Sequence, residues 1–265
     1  MNQTPKIRLE HVDKVFKTKR QEIYALSDIS MNVMEHDFVS IVGPSGCGKS
    51  TIIRIIDDII KPTSGDVYVG DYKYEKKVSR DVIRSMGFVF QRPNLLPWKT
   101  VRENIMFPQE IMGLKGPQWE EWTDDLLARG RLSEYAHKRP SELSGGTLQR
   151  AGVLRSMATK PDILLMDEPF GALNERLREQ LDLDTLEIWE QNKQTIVFIT
   201  HNVREAVLLS NRIYVMATHP GRIIAEIPID LPYPRTLECM LTDRFLDYET
   251  QVTQLIGEID LSEIK

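Results

Sequence analysis

The segment Gly43-Pro44-Ser45-Gly46-Cys47-Gly48-Lys49-Ser50-Thr51 fits the spacing Gly-x4-Gly-Lys-Ser. It stands between the short apolar run Phe38–Val42 and a helical pattern from about Lys49 to Ile59. A buried strand, a tight glycine turn and a helix in that order restrict the chain to an α/β architecture. The glycines let the backbone curl until its N–H groups converge, and the following helix N-terminus adds partial positive charge at the same point. Such a loop holds phosphate oxygens. Gly43, Pro44, Ser45, Gly46, Cys47 and Gly48 are therefore the candidate cradle. Lys49 is placed to reach the β- and γ-phosphates of a nucleotide, Ser50 to coordinate Mg²⁺ and Thr51 to bond the α-phosphate. Cys47 has no acid–base partner in the pattern and is read as part of the cradle only.

A second constellation lies downstream. Ile163-Leu164-Leu165-Met166 is a continuous apolar run ending in Asp167-Glu168, as expected of a strand buried on both faces that delivers two carboxylates to a cation. Asp167 is the candidate metal ligand, and Glu168 the candidate general base toward water. Gln91 follows the apolar stretch Met86–Phe90, and His201 follows Thr195–Thr200. Both then stand at the carboxyl edge of the same sheet, Gln91 within reach of the metal and the water and His201 within reach of the γ-phosphate.

Strand patterns at Ile7–Val12, Tyr24–Val33 and Asp66–Val69 precede and surround the glycine loop. From Gln91 to about Lys160 helical patterns replace them, with a capping box at Thr100-Val101-Arg102-Glu103 and a helix start at Gly145. Strands return at Ile163–Met166, Thr195–Ile199 and Arg212–Met216, with helices at Glu175–Glu190 and Arg204–Leu209 between them, which predicts a largely parallel sheet. The chain divides into 1–91, 92–160, 161–231 and a tail 232–265 with an amphipathic pattern through Phe245, Tyr248, Val252 and Leu255.

The formal net charge of -5 argues against nucleic acid as a partner. No apolar run reaches the ~18–20 residues of a membrane span, and Met1–Glu10 lacks the apolar core of a signal peptide. Two cysteines, Cys47 and Cys239, form no disulfide framework, so a reducing cytoplasmic compartment is expected.

Leu143-Ser144-Gly145-Gly146, followed by Gln149-Arg150, lies between the glycine loop and the paired carboxylates. With it, the chain resembles the ATP-binding subunit of an ABC transporter over roughly Lys6 to Pro232. The resemblance implies a P-loop NTPase (RecA-like) core with an N-terminal antiparallel β subdomain and a helical signature subdomain. It implies ATP and Mg²⁺ as cofactors, and a second copy of the chain as partner. Ser144, Gly145 and Gly146 of one copy are then expected to close over ATP held by the phosphate loop of the other. Phe16, ahead of Tyr24, is the expected adenine-stacking residue. Gln91 matches the Q-loop, Asp167 and Glu168 the Walker B pair, and His201 the switch histidine. Phe170-Gly171-Ala172-Leu173-Asn174 occupies the D-loop, where the family usually has aspartate in place of Asn174. Thr147 stands where many members have glutamine or methionine.

The phrases Gln91–Trp98, Thr100–Asn104, Glu168–Leu173 and His219-Pro220-Gly221-Arg222-Ile223 resemble importers of nitrate, sulfonate, taurine or bicarbonate. Two transmembrane permease subunits, and indirectly a solute-binding protein, are the implied partners. The implied location is peripheral, on the cytoplasmic face of the inner membrane. Leu95, Leu96, Pro97 and Trp98 are the candidate permease-docking surface. An exporter motor and a soluble ATPase of the same type are the competing readings, and a small-molecule kinase leaves Ser144-Gly145-Gly146 without a purpose.

Overall fold

The computed structural model describes residues 4–18, 21–75, 78–171 and 173–263, the last four as backbone only. Ala172 of the expected D-loop, together with both ends of the chain, lies outside them. Two sheets organise the molecule. The first is antiparallel, in the order β2-β1-β4-β5, from β1 (Ile7–Lys17), β2 (Glu22–Val33), β4 (Ser64–Val69) and the two-residue β5 (Tyr72–Lys73). The second follows the order β10-β9-β3-β8-β7-β6. Its strands β6 (Met86–Val89), β7 (Ile163–Asp167), β8 (Thr195–Ile199), β3 (Phe38–Val42) and β9 (Arg212–Ala217) are parallel, and β10 (Arg222–Pro228) closes the edge antiparallel.

The alternation of side chains across the central strands explains why their sequences are continuously apolar. Val39 and Ile41 of β3, Ile163 and Leu165 of β7, and Val197 and Ile199 of β8 face the first sheet and helix α1 (Lys49–Ile56). Phe38, Leu164, Met166, Ile196 and Phe198 face the other way. They pack there with α3 (Val101–Met112), α4 (Pro117–Arg129), α5 (Gly145–Met157) and α6 (Glu175–Asn192). A strand with both faces covered has no polar side, so period-2 alternation disappears from its sequence. A third apolar layer joins β9 and β10 to α7 (Val203–Leu209) and α8 (Asp243–Glu263), with Phe245 and Val252 fully buried. The amphipathic tail thus packs on the core.

Two local differences from the sequence expectation have clear causes. Helix α1 ends at Ile56 rather than Ile59 because Asp57 is its C-cap and Asp58 adopts a left-handed φ of 58°. A short helix α2 (Arg80–Arg84), capped by Ser79, precedes β6 where no element was expected. The capping box at Thr100 is present as read, with Thr100 N–H donating to Glu103 at 2.6 Å and Glu103 N–H to Thr100 Oγ1 at 3.2 Å.

Candidate functional site

The parallel strands deliver their carboxyl ends to one edge, and a groove of about 340 Å³ opens there. It is lined by Ser45, Gly46, Gly48, Lys49, Ser50, Thr51, Gln91, Asp167 and Glu168. Residues from three separate stretches of sequence therefore meet at one surface. Ser50 Oγ donates to Asp167 Oδ1 at 2.7 Å, and the Arg54 guanidinium lies 3.9 Å from the other carboxylate oxygen. Hydroxyl, carboxylate and the nearby amide of Gln91 are hard oxygen donors, a set that suits Mg²⁺. Lys49 is almost fully buried, and its ammonium donates to Gly43 O at 2.8 Å and Pro44 O at 3.0 Å. Cys47 is buried beneath the loop, and burial pushes its thiol above the ordinary value against the opposing pull of Lys49. It remains a neutral thiol at neutral pH.

Glu168 follows directly on β7 and has a left-handed φ of 45°. For a non-glycine residue this conformation costs on the order of 1 kcal/mol, and its neighbours hold it. The Glu168 N–H donates to Ile199 O at 3.0 Å, and the carboxylate meets His201 Nδ1 at 3.2 Å. An added Cβ at Gly171 would sit 3.4 Å from Glu168 Oε2 and 3.5 Å from His201 Cε1. Gly171 therefore lies beside the pair. Asn174 caps α6 by accepting from Leu177 N–H at 3.0 Å. Aspartate and asparagine serve equally in that position, so the departure from the usual residue leaves the helix start intact.

Ser144, Gly145 and Gly146 form the N-terminus of α5 and do not line the groove. Ser144 is exposed and caps the helix by accepting from Thr147 N–H at 3.3 Å, and Gly145 faces open space. Gly146 lies against α6, where an added Cβ would approach Leu177 Cδ2 to 2.4 Å. Phe16 and Tyr24 are also outside the groove lining. Phe16 is half-buried on β1 with the Lys14 ammonium 4.9 Å above its ring, and Tyr24 is 62% exposed on β2.

Several residues to which sequence reading assigned no structural role hold this arrangement together. Gly221 buttresses the phosphate loop: a Cβ there would fall 2.0 Å from Cys47 O and 2.7 Å from Ala25 O. Its N–H and C=O bond Ala25 O and Ser27 N–H, joining the two sheets beside the loop. The segment on either side of Gln91 is bolted to α5. Arg155 donates to Pro93 O and Asn94 O at 2.7 and 2.8 Å, and Gln149 to Phe90 O at 3.4 Å. Buried Asn104 fastens the following turn through Leu96, Lys99 and Thr100. Beyond it Trp98 is 68% and Ile111 72% exposed, whereas Leu95 packs inward. Arg235, 3% exposed, donates to the C=O groups of Leu231, Val207, Leu208 and Ser210 and so closes the C-terminus of α7. Gly221 and Asn104 stood in the quoted phrases, but only as marks of resemblance. Nothing local flags Arg235, most of whose partners lie on α7 and just beyond it.

Comparison with known proteins agrees with this geometry. Residues 26–171 match the family model described as ABC transporter. The chain is 36% identical over 230 residues to the aliphatic sulfonates import ATP-binding protein of Bacillus cereus, covering 87% of this chain and 88% of that one. It is 33% identical over 255 residues to the nitrate import ATP-binding protein of Synechococcus elongatus, covering 94% and 91%. Among solved structures, a dimeric ATP-binding cassette in a post-hydrolysis state, bound to ADP and Pi, superposes with a TM-score of 0.75 at 32% identity, over 85% of this chain and 100% of that one. The chain belongs to the ABC transporter family, as one of its ATP-binding, ATP-hydrolysing subunits.

Proposed function

We propose that the chain is the motor of an importer for a small anionic solute of the nitrate, sulfonate, taurine or bicarbonate type. In this reading it works as a face-to-face dimer on the cytoplasmic side of the membrane. The observation that carries the motor is the split of its functional residues. The phosphate loop, Gln91, Asp167 and Glu168 converge on one groove, while Ser144-Gly145-Gly146 presents an exposed helix N-terminus elsewhere. That terminus has free N–H groups and a positive dipole end suited to a γ-phosphate held by another copy. The dimeric state of the similar solved cassette supports the same arrangement. The import direction and solute class rest on the printed names of the relatives.

ATP lies with its phosphates on the loop, where Lys49 exchanges its carbonyl partners for β- and γ-oxygens. Ser50, Asp167 and Gln91 would hold Mg²⁺, which would supply neutralisation of phosphate charge. Glu168 takes the proton of the attacking water, and His201, beside it, bonds the γ-phosphate. Phe16 stacks on the adenine. Contacts of the γ-phosphate across the interface favour the closed dimer only while that phosphate is present. Because Arg155 and Gln149 tie the segment after Gln91 to α5, a shift at Gln91 moves the signature helix and the exposed Trp98 surface with it. That surface is where the permease subunits dock, and a solute-binding protein supplies them from the other side.

Light scattering with ATPase assays tests this reading. Glu168→Gln with MgATP is expected to form a stable dimer and to lose hydrolysis by a hundredfold or more. A monomeric Glu168→Gln that hydrolyses at the normal rate contradicts it.

A further inference from the structure

Two carboxyl groups that the hydrolytic constellation does not use are buried together behind it. Asp182 of α6 is 2% exposed and Glu205 of α7 is 4% exposed. They face each other within hydrogen-bonding reach, yet Asp182 Oδ1 and Glu205 Oε1 each lack a donor. Two ionised carboxylates cannot share a dry site, whereas one proton between them satisfies both orphaned oxygens and removes half the charge. Glu205 Oε2 accepts from Thr200 Oγ1, and Thr200 Oγ1 accepts from Asn202 N–H at 2.9 Å. Asn202 Oδ1 in turn accepts from Glu205 N–H at 3.2 Å. Both neighbours of His201 are thereby fastened to Glu205.

We propose that Asp182 and Glu205 hold a single proton between α6 and α7, and that this proton-bridged pair positions His201 against Glu168. Asp182 and Glu205 are positioning residues, acting through Thr200 and Asn202. The bridge also links His201 to the D-loop, because Arg178, one turn before Asp182, donates to Phe170 O, Gly171 O and Leu173 O. The charged groups around the pair are Arg178 and Glu179 of α6 and His201 beyond β8. From α8, Glu249 is engaged by Arg204 at 3.8 Å. Arg178 favours ionisation, but its guanidinium is committed to the D-loop carbonyls. Burial dominates and raises both carboxyls, so the pair keeps one proton. The positioning role rests on the proposed role of His201, whereas the shared proton does not.

Infrared spectroscopy of the whole chain reads the proton directly. At neutral pH an Asp57→Asn chain, which lacks the other carboxyl that burial raises, to about 7, is expected to show the C=O stretch of a buried protonated carboxyl, absent once Asp182→Asn is added and, should that variant not fold, displaced in frequency by Glu205→Gln. Steady-state ATPase kinetics read the positioning. Asp182→Ala is expected to lose about tenfold in kcat with KM for ATP unchanged, and Asp182→Asn, whose amide donates permanently, to recover most of it. Raising the pH should lower kcat of the wild type as the band fades, and leave Asp182→Asn flat. No protonated band in the Asp57→Asn chain, or an Asp182→Asn as impaired as Asp182→Ala, overturns the proposal. An unchanged rate in His201→Ala instead sinks the hydrolytic reading of that residue while leaving the infrared band in place.

Discussion

The edge of the central sheet and the start of α5 are both polar, glycine-containing surfaces, but they are built to different degrees of completeness. At the sheet edge, side chains from α1, β7 and the segment after β6 converge, and every charged group has a partner within the chain: Lys49 on loop carbonyls, Asp167 on Ser50, Glu168 on His201. At the start of α5 the only side-chain organisation is a helix cap, and Gly145 faces open space. In the proposed dimer the first surface is a site in itself and the second is half of one.

The largest effect should come from the completed surface. Lys49→Ala removes the only ammonium in the groove lining and is expected to abolish measurable ATP hydrolysis, with retained folding checked by circular dichroism. Substantial activity in this variant would remove the contrast altogether. Next is the buttress behind the loop. Gly221→Ala drives a methyl group into Cys47 O, so the loop must shift, and ATP affinity measured by calorimetry should fall by roughly tenfold or more. An unchanged affinity would mean that the loop does not depend on its backing.

Arg235→Met tests whether α7, which carries the turn after His201, needs its distant clasp. Four carbonyls lose their charged donor, and urea unfolding should show a loss of about 2–4 kcal/mol. A smaller effect concerns α1. Burial, with Asp58 adjacent, raises the Asp57 carboxyl from 3.8 to about 7. Between the unfolded value near 4 and about 7 the folded chain keeps a proton that the unfolded chain has released. Stability therefore falls as pH rises through that window and levels off above it. Asp57→Asn should remove the slope and add on the order of 2 kcal/mol at pH 8, read from denaturation midpoints across pH. The smallest effect belongs to Asn174→Asp, which keeps the cap of α6 and should change stability by less than about 0.5 kcal/mol. Any change it makes in ATPase cooperativity then reports on the dimer seam rather than on folding.

What could be read from the chain follows the same division. Strands β3, β7 and β8 were legible because burial on both faces leaves nothing but apolar residues, and the phosphate loop because one short segment carries its whole chemistry. Strand β10 was not, since it lies at the sheet edge, six of its seven residues are not buried, and it starts just after the turn at 218–220. The end of α1 depended on the left-handed conformation of Asp58, which periodicity does not encode. Arg235 and the Asp182–Glu205 pair were silent because each acts on groups brought to it by tertiary folding. The outline of the groove, by contrast, needed no long-range information beyond the order of strands.

Mixing two inactive variants tests the central claim most directly. Lys49→Ala has a defective loop and an intact signature, and Ser144→Arg has the reverse, with a bulky cation at the exposed cap where a phosphate contact would form. Each is expected to lack ATPase activity alone. Mixed in equal amounts they should regain a fraction of the wild-type rate, because a mixed dimer holds one composite site with an intact loop and an intact signature. If the mixture remains inactive while both variants form dimers, or if Ser144→Arg alone hydrolyses ATP normally, the two surfaces do not complete each other and the account is wrong.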